Sequence, residues 1–248
     1  KGHSNGRKPN GGSEWNVFTA PTPGGSNNTT AYLRYTEKPV MSITGGFYDN
    51  SLTVSITTNE PNAKIRYTTN GNEPNATSSQ YTAPILVSGT KVLKARVFSN
   101  DASILPGLVE FNTYFINENF TLPVISISAN DLTTLLNGNG NITPWGSIEY
   151  FNADKVRTTT HFSDTDRDEY QKVILRACGD DNYPGIDSSA QVRDDFVQTV
   201  SVKAGMSLDE RKSARFIMFA NGQYWGVYSI REKPNDHDYT KYYYDQDK

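Results

Sequence analysis

Several residue types that common enzyme chemistries need are scarce in this 248-residue chain. Its one cysteine, Cys178, excludes an internal disulfide framework and any multi-cysteine zinc site. The three histidines are His3, His161 and His237, and so few soft ligands argue against a transition-metal enzyme. A hard cation such as Mg²⁺, held by carboxylates, remains open.

The charge and hydrophobicity of the chain argue against two further classes. The 24 basic and 27 acidic residues are spread along the chain with a net charge of −3, and no basic stripe predicts a nucleic-acid surface. No apolar run approaches the ~20 residues of a spanning helix, so we expect no membrane span. With 35% hydrophobic residues but 15 tyrosines and 11 phenylalanines, the composition favours modest cores of short strands with half-buried rings.

Residues 1–38 are rich in Gly, Asn, Pro, Ser and Thr. Trp15, Val17 and Phe18 predict one short strand before the backbone is broken by the Pro- and Gly-rich residues 21–25. Two interpretations stay open: a linker, or the last strand of a domain whose body lies upstream.

Residues 39–117 show the pattern of an all-β domain. Leu52, Val54 and Ile56 alternate with polar residues, and residues 64–68, 85–87 and 91–98 predict further strands. Asn70-Gly71 is a strong tight-turn dipeptide, for which we expect the left-handed conformation at Asn70. Short strands at such spacing, with turns between them, indicate a β-sandwich.

From residue 118 the sequence pattern changes to that of an α+β domain. Residues 124–128 and 147–151 predict strands, and Asp131 is placed to cap a short helix that ends near residue 137. Residues 173–176 predict a strand, residues 189–200 a helix, and residues 216–228 a β-hairpin closed by Asn221-Gly222. The predicted fold class is therefore mostly β with α+β: a sandwich followed by an α+β domain.

Two resemblances concern the first half of the chain. Residues 6–11, Trp15 and residues 21–27 resemble the closing strand of a bacterial lamin-tail domain. Residues 40–116, with the run IRYTTNGNEP at 65–74, are similar to the Ig-like domain at the C-terminus of chitobiases and hexosaminidases. That resemblance implies an accessory module, either a spacer or a carbohydrate contact through residues 70–79. Only Tyr67 and Tyr81 offer stacking rings there, and both alternate with polar neighbours as core-facing residues do.

A third resemblance covers residue 120 to the end. The order LPVISI, IEYF, VILRACGDD, RDDF and FANGQYWGVYSIREK resembles the spore-coat protein H (CotH) kinase-like family. It implies an atypical protein kinase that transfers phosphate from ATP with Mg²⁺ to exported proteins. The motif residues that we expect to be structural are Asn221, Gly222, Tyr224, Trp225, Gly226 and Tyr228.

The candidate site residues in this half carry alternative interpretations. Arg176 and Glu232 are candidates for nucleotide binding; alternatively Arg176 forms a salt bridge and Glu232 is a solvated strand residue. Asp180 and Asp181 follow a strand and are weak metal candidates, although such residues more often cap turns. Of Tyr224 and Trp225, core packing is the expectation for one ring.

The chain departs from the third family in two places. The family carries a lysine-containing motif between the second and third of these motifs. Residues 155–172 contain no counterpart of it. The family's catalytic and metal-binding acids are expected beyond Lys248, so we expect this fragment to be inactive by itself.

The domain order expected from these resemblances is a lamin-tail remnant plus linker (1–38), an Ig-like sandwich (39–117) and the N-terminal part of a kinase-like domain (118–248). Such modules together imply an extracellular or cell-surface bacterial protein with an exported protein as substrate. The alternative is a non-enzymatic surface or adhesion protein whose Ig-like module is a spacer or binds glycan. No cofactor is expected to be required for folding.

Overall fold

The structure, a computed structural model, describes residues 2–137, 145–158, 173–176, 193–206, 212–233 and 237–245. The chain divides into two compact units, Lys1–Asn117 and Glu118–Lys248. It is mostly β with few helices, which confirms the predicted fold class. Within the described residues, no helix combines the length and apolarity needed to cross a membrane. The three-domain boundaries remain a prediction.

The first unit begins with a small antiparallel sheet. Its strands are β1 (Ser4–Arg7), β2 (Trp15–Phe18) and β3 (Ala31–Tyr32), in the order β1-β2-β3. The predicted strand forms as β2, in which adjacent Val17 and Phe18 are both buried, while Trp15 is exposed beneath the Arg7 guanidinium. Asn27 closes the turn region: its side-chain amide donates to the Arg7 carbonyl at 2.9 Å, and its backbone amide donates to Asn10 Oδ1 at 2.8 Å.

The rest of the first unit is a sandwich built from eleven short strands. They are β4 (Arg34–Tyr35), β5 (Val40–Met41), β6 (Gly46–Tyr48), β7 (Leu52–Val54), β8 (Ile56–Thr57), β9 (Ala63–Thr68), β10 (Ser79–Gln80), β11 (Ile85–Val87), β12 (Lys91–Ser99), β13 (Ile104–Leu105) and β14 (Glu110–Ile116). One layer is the five-stranded sheet β10-β9-β12-β14-β6. The facing layer consists of the ladders β11-β7 and β5-β8.

The core of the sandwich lies between these layers. Leu93, Ala95 and Tyr114 from the large sheet pack with Val54 and Val87 from the facing ladders, and all five are fully buried. Each large apolar side chain buried in this way stabilises the fold by roughly 1.5–3 kcal/mol. The Tyr114 hydroxyl donates to the Ile43 carbonyl at 2.7 Å, so burying its polar end costs little.

Residues 31–36 are joined tightly to the sandwich. β4 pairs in parallel with β13, and the Thr36 hydroxyl donates to the buried Val97 carbonyl at 3.0 Å. Arg34 makes a two-pronged contact with the buried Glu60, with Nη2–Oε1 at 2.6 Å and Nη1–Oε2 at 2.8 Å. The hydrogen bond from Arg34 is the main reason that the pKa of Glu60 lies below its ordinary value.

This contact predicts a pH dependence of unit stability. Because the folded-state pKa of Glu60 is depressed, its stabilisation is present above the ordinary glutamate pKa of 4.5 and is lost as the pH falls through the lower folded value. Glu60→Gln should therefore lower the urea midpoint at neutral pH and show a weaker decline below pH 4.5 than the wild type. Parallel declines in the two proteins would contradict this assignment.

The described residues of the second unit form a five-stranded sheet. Its strands are β15 (Val124–Ser128), β16 (Ser147–Phe151), β17 (Val173–Arg176), β18 (Ser213–Ala220) and β19 (Gln223–Glu232), in the order β16-β15-β18-β19-β17. β15 runs parallel to β18, and the other neighbours are antiparallel. The described helices are α1 (Leu132–Asn137), α2 (Arg193–Lys203) and α3 (His237–Tyr244).

The predicted capping of α1 is confirmed. The Asp131 carboxylate accepts from the Thr134 amide at 2.9 Å, as an N-cap residue does. Hydrogen bonds from Thr134 hold the pKa of Asp131 below its ordinary value. Leu132, Leu135 and Leu136 pack against the sheet residues Ile125, Ile127, Phe216, Met218 and Ile230, so α1 covers one face of this sheet.

Candidate functional site

The face of the second sheet opposite this core carries polar residues near β18 and β19. Residues paired directly across neighbouring strands share a face, as do alternate residues along one strand. Arg215 pairs with Ser229, and Ser213 pairs with Arg231. Arg215, Ser229 and Arg231 therefore lie on one face, while Phe216 and Ile230 lie on the apolar one.

The edge strand β17 places a predicted site residue, Arg176, beside the same part of β19. Arg176 pairs in register with Ser229, on the side of β19 away from Arg215. We call Arg215, Arg231 and the register position of Arg176 the arginine cluster. The sequence indicated Arg176 as a candidate for nucleotide binding, with a salt bridge as the alternative, but did not single out Arg215 and Arg231, although both alternate with apolar neighbours.

Two members of the arginine cluster, Arg215 and Arg231, are shielded from water to different degrees. Arg231 is only 3% exposed and Ser229 is fully buried, while Arg215 is half-buried. A guanidinium removed from water needs hydrogen-bond acceptors, preferably anionic ones, to offset desolvation. Its planar set of N–H donors matches the oxygens of a phosphate or a carboxylate. The donor geometry of Arg215 and Arg231 therefore matches an anionic acceptor.

A buried carboxylate lies elsewhere on the same face. Glu149 on β16 pairs with Ser126 of β15, which pairs in turn with Phe219 of β18. Its Oε1 forms a salt bridge with Arg157 Nη1 at 3.3 Å. Glu149 is thus displaced from Arg215 by two strands and by four residues along β18.

Glu232 lies on the apolar face, and the surface interpretation for it is wrong. Its side chain is fully buried. Its Oε2 accepts the Lys212 amide at 2.9 Å, and the Tyr243 hydroxyl contacts both carboxylate oxygens at 3.2 and 3.3 Å. Glu232 pairs in register with Val173, which precedes Arg176 by three residues on β17. The structure therefore does not bring the two nucleotide-binding candidates, Glu232 and Arg176, together.

The metal candidates Asp180 and Asp181 lie outside the described residues. Within the ranges that the structure does describe, no group of three or more His, Cys, Asp and Glu residues is arranged to hold a metal ion. The assignment of these two aspartates therefore stays a prediction.

The Asn-Gly hairpin of the third resemblance forms as predicted. Asn221 and Gly222 both adopt left-handed backbone conformations, with φ of 50° and 81°, as a type I′ turn requires. The Asn221 side chain accepts from the Ala129 amide at 3.0 Å and donates to the Ala129 carbonyl at 3.1 Å. The backbone amide of Asn221 donates to the Ile127 carbonyl at 2.8 Å. Asn221 therefore joins the hairpin to the end of β15.

The core-packing expectation for Tyr224 and Trp225 is wrong, since both rings are largely exposed, at 56% and 46%. Tyr224 pairs with Phe219 and Gly226 pairs with Met218, which leaves Trp225 as the extra residue of a β-bulge. Gly226 has φ of +123°, a conformation that favours glycine. Beyond the bulge, the Tyr228 ring packs on Phe216 and the apolar core.

The loop at residues 70–79 of the sandwich is held by its own polar contacts. Lys94 Nζ, fully buried, meets Glu73 Oε1 at 2.9 Å. Gly71 rather than Asn70 takes the left-handed conformation, with φ of 81°, which corrects the expectation for Asn70. Tyr67 and Tyr81 pack against the sandwich core, as their alternation indicated, so neither ring forms a free stacking platform for a sugar.

Comparison with known proteins supports the sandwich assignment. The family model of the chitobiase/beta-hexosaminidase C-terminal domain matches residues 43–103. The kinase-like and lamin-tail-like parts are supported by no match. Among curated proteins and among solved structures, none matches the chain.

Proposed function

We propose that residues 118–248 form the nucleotide-binding part of an exported atypical protein kinase. The arginine cluster is the observation that carries this proposal. In phosphoryl transfer the protein mainly positions the phosphates and neutralises their charge. Half-buried Arg215 and buried Arg231 share one face of the sheet, with the register position of Arg176 beside Ser229, and would supply such interactions to the phosphate chain of ATP.

The Ig-like module then has an accessory role at the cell surface. Residues 34–36 are fixed to the sandwich by strand pairing and by the Arg34–Glu60 contact. A module joined in this way suits a spacer that holds neighbouring parts at a set distance.

A second candidate is a surface or adhesion protein that binds glycan. The match of residues 43–103 to a carbohydrate-related module favours it. The packing of Tyr67 and Tyr81 against the core weakens it, because sugar stacking needs an exposed ring.

The two candidates are separated by thermal unfolding of the protein with Mg²⁺-ATP or with a chitin oligosaccharide. The kinase proposal expects a rise in melting temperature with Mg²⁺-ATP only, because a ligand that binds the folded state stabilises it. Arg215→Gln should weaken ATP binding by at least about tenfold, since a hydrogen bond to a charged group contributes about 1.5–3 kcal/mol. Arg215 is preferred over Arg231 because it is less buried and its replacement disturbs folding less.

The matched control is Arg66→Gln in the first unit. Arg66 is also half-buried on a strand and donates to the Ser78 carbonyl at 2.9 Å. It should leave ATP binding unchanged. Equal weakening of ATP binding by both variants, or no change in the melting temperature of the wild type with Mg²⁺-ATP, would contradict the kinase proposal. A rise in melting temperature with the oligosaccharide alone would favour the adhesion protein.

A further inference from the structure

The chain is rich in Asn-Gly dipeptides, a sequence with its own chemistry. Glycine has no Cβ to shield its backbone nitrogen. In an Asn-Gly pair the glycine nitrogen therefore reaches the side-chain carbonyl carbon of the asparagine more easily than the backbone nitrogen of another residue type would. The sequence contains six such pairs, at residues 5–6, 10–11, 70–71, 137–138, 139–140 and 221–222. Among the pairs that the structure describes, those at residues 70–71 and 221–222 have different surroundings.

Asn70 is placed for reaction. Its side chain is exposed, and Oδ1 accepts the Asn72 amide at 3.2 Å. This local bond turns the side chain back along the following backbone, as in an Asx-turn. The neighbouring Gly71 is in the left-handed conformation, which leaves the 70–71 peptide in a turn rather than in a strand ladder.

Asn221 is the protected counterpart within the same chain. Its side-chain amide both donates to and accepts from Ala129, and its backbone amide donates to Ile127. Ala129 is itself buried. Reaction at Asn221 therefore requires the hairpin to separate from the end of β15.

We propose that Asn70 is a site of spontaneous deamidation that alters the 70–79 loop as the protein ages. The Gly71 nitrogen attacks Cγ of Asn70 and loses its proton to water or hydroxide. The new N–Cγ bond closes a succinimide, the Cγ–Nδ2 bond breaks, and Nδ2 leaves as ammonia. Water then opens the ring at one of its two carbonyls and yields aspartate or isoaspartate, with no change of oxidation state.

The two products act differently on the loop. Aspartate at position 70 keeps the acceptor for the Asn72 amide and strengthens it by charge. Isoaspartate adds a methylene to the main chain. The longer backbone should displace the hydrogen bond from the Thr68 hydroxyl to the Asn72 carbonyl, and should move Glu73, the next residue, away from the buried Lys94. Isoaspartate formation should therefore loosen the loop, whereas aspartate should not.

The test is peptide mapping of the intact protein after incubation at mildly alkaline pH. Trypsin gives peptides 67–91 and 216–231, each with one Asn-Gly pair. We expect aspartate and isoaspartate to accumulate in the first peptide at least ~10-fold faster than in the second, because Asn221 reacts only after local opening. In urea the two rates should converge.

Variants separate the chemistry from its consequence. Asn70→Asp should unfold in urea like fresh wild type, while aged wild type enriched in isoaspartate should unfold at lower urea. Gly71→Ala, whose Cβ hinders attack, should slow modification of the 67–91 peptide. Equal rates in both peptides of the folded protein, or an unmodified Asn70 under conditions that modify it in urea, would overturn the proposal.

Discussion

Replacing Asn221 with alanine is expected to lower the free energy of unfolding of the second unit by about 4 kcal/mol. The amide and carbonyl of buried Ala129 each lose their partner in the Asn221 side chain, at about 1–3 kcal/mol per unsatisfied group. Alanine also resists the left-handed conformation found at this position, at about 1–2 kcal/mol. Hydrogen exchange followed by peptide would assign the loss to β15, β18 and β19.

Two controls separate these contributions. Asn221→Gly accepts the left-handed conformation and should show only the loss from the hydrogen bonds. Asn62→Ala replaces another left-handed asparagine, with φ of 50° on an exposed turn, and should cost only about 1–2 kcal/mol. If Asn221→Ala were no worse than Asn62→Ala, Asn221 would not be the residue that joins the hairpin to β15.

Replacing Glu73 with glutamine is expected to cost the first unit about 2–3 kcal/mol, because it leaves the ammonium of Lys94 buried without its carboxylate. Lys94 is fully buried, and its Nζ lies 2.9 Å from Glu73 Oε1. The expected loss is smaller than for a wholly buried pair, since the Glu73 side chain is 39% exposed. Urea unfolding of the first unit measures it.

The double variant Lys94→Met with Glu73→Leu should recover much of that loss. An apolar pair of similar volume removes the buried charge together with its counter-ion, and such replacements are often neutral. A double variant less stable than Glu73→Gln would show that Lys94 contributes through contacts other than this ion pair.

The elements that the sequence predicted well are those fixed by local chemistry. The hairpin follows from Asn221-Gly222 between two apolar runs, and α1 follows from Asp131 before leucines at helical spacing. The strands of the sandwich follow from alternation of apolar and polar residues, which also placed Tyr67 in the core. Each of these signals spans only a few neighbouring residues.

The features that escaped prediction depend on contacts between distant residues. The parallel pairing of β15 with β18 joins segments about ninety residues apart, as the Ala129–Asn221 bond shows, and no local pattern encodes such an order. Glu232 is buried because Lys212 and Tyr243 reach it from other segments. The single bulge residue shifts the alternation at Trp225, so parity alone placed its ring wrongly.

The arginine cluster was predicted in part for the same reason. Arg176 stood out because it ends a short apolar strand, but its register position across Ser229 from Arg215 appears only when β17 and β18 are known to flank β19. Since residues that share a sheet face come from three separate strands, the number of cations gathered there is a property of the topology.

The most direct test of the nucleotide-binding proposal is a calorimetric titration of the wild-type protein with Mg²⁺-ATP and, separately, with adenosine. If the arginine cluster holds the phosphate chain, ATP binds and adenosine binds at least about tenfold more weakly, because the charge-assisted bonds to phosphate are lost. The affinity for ATP should also fall as salt is raised. Absence of ATP binding, or equal affinity for the two ligands, would contradict the proposal.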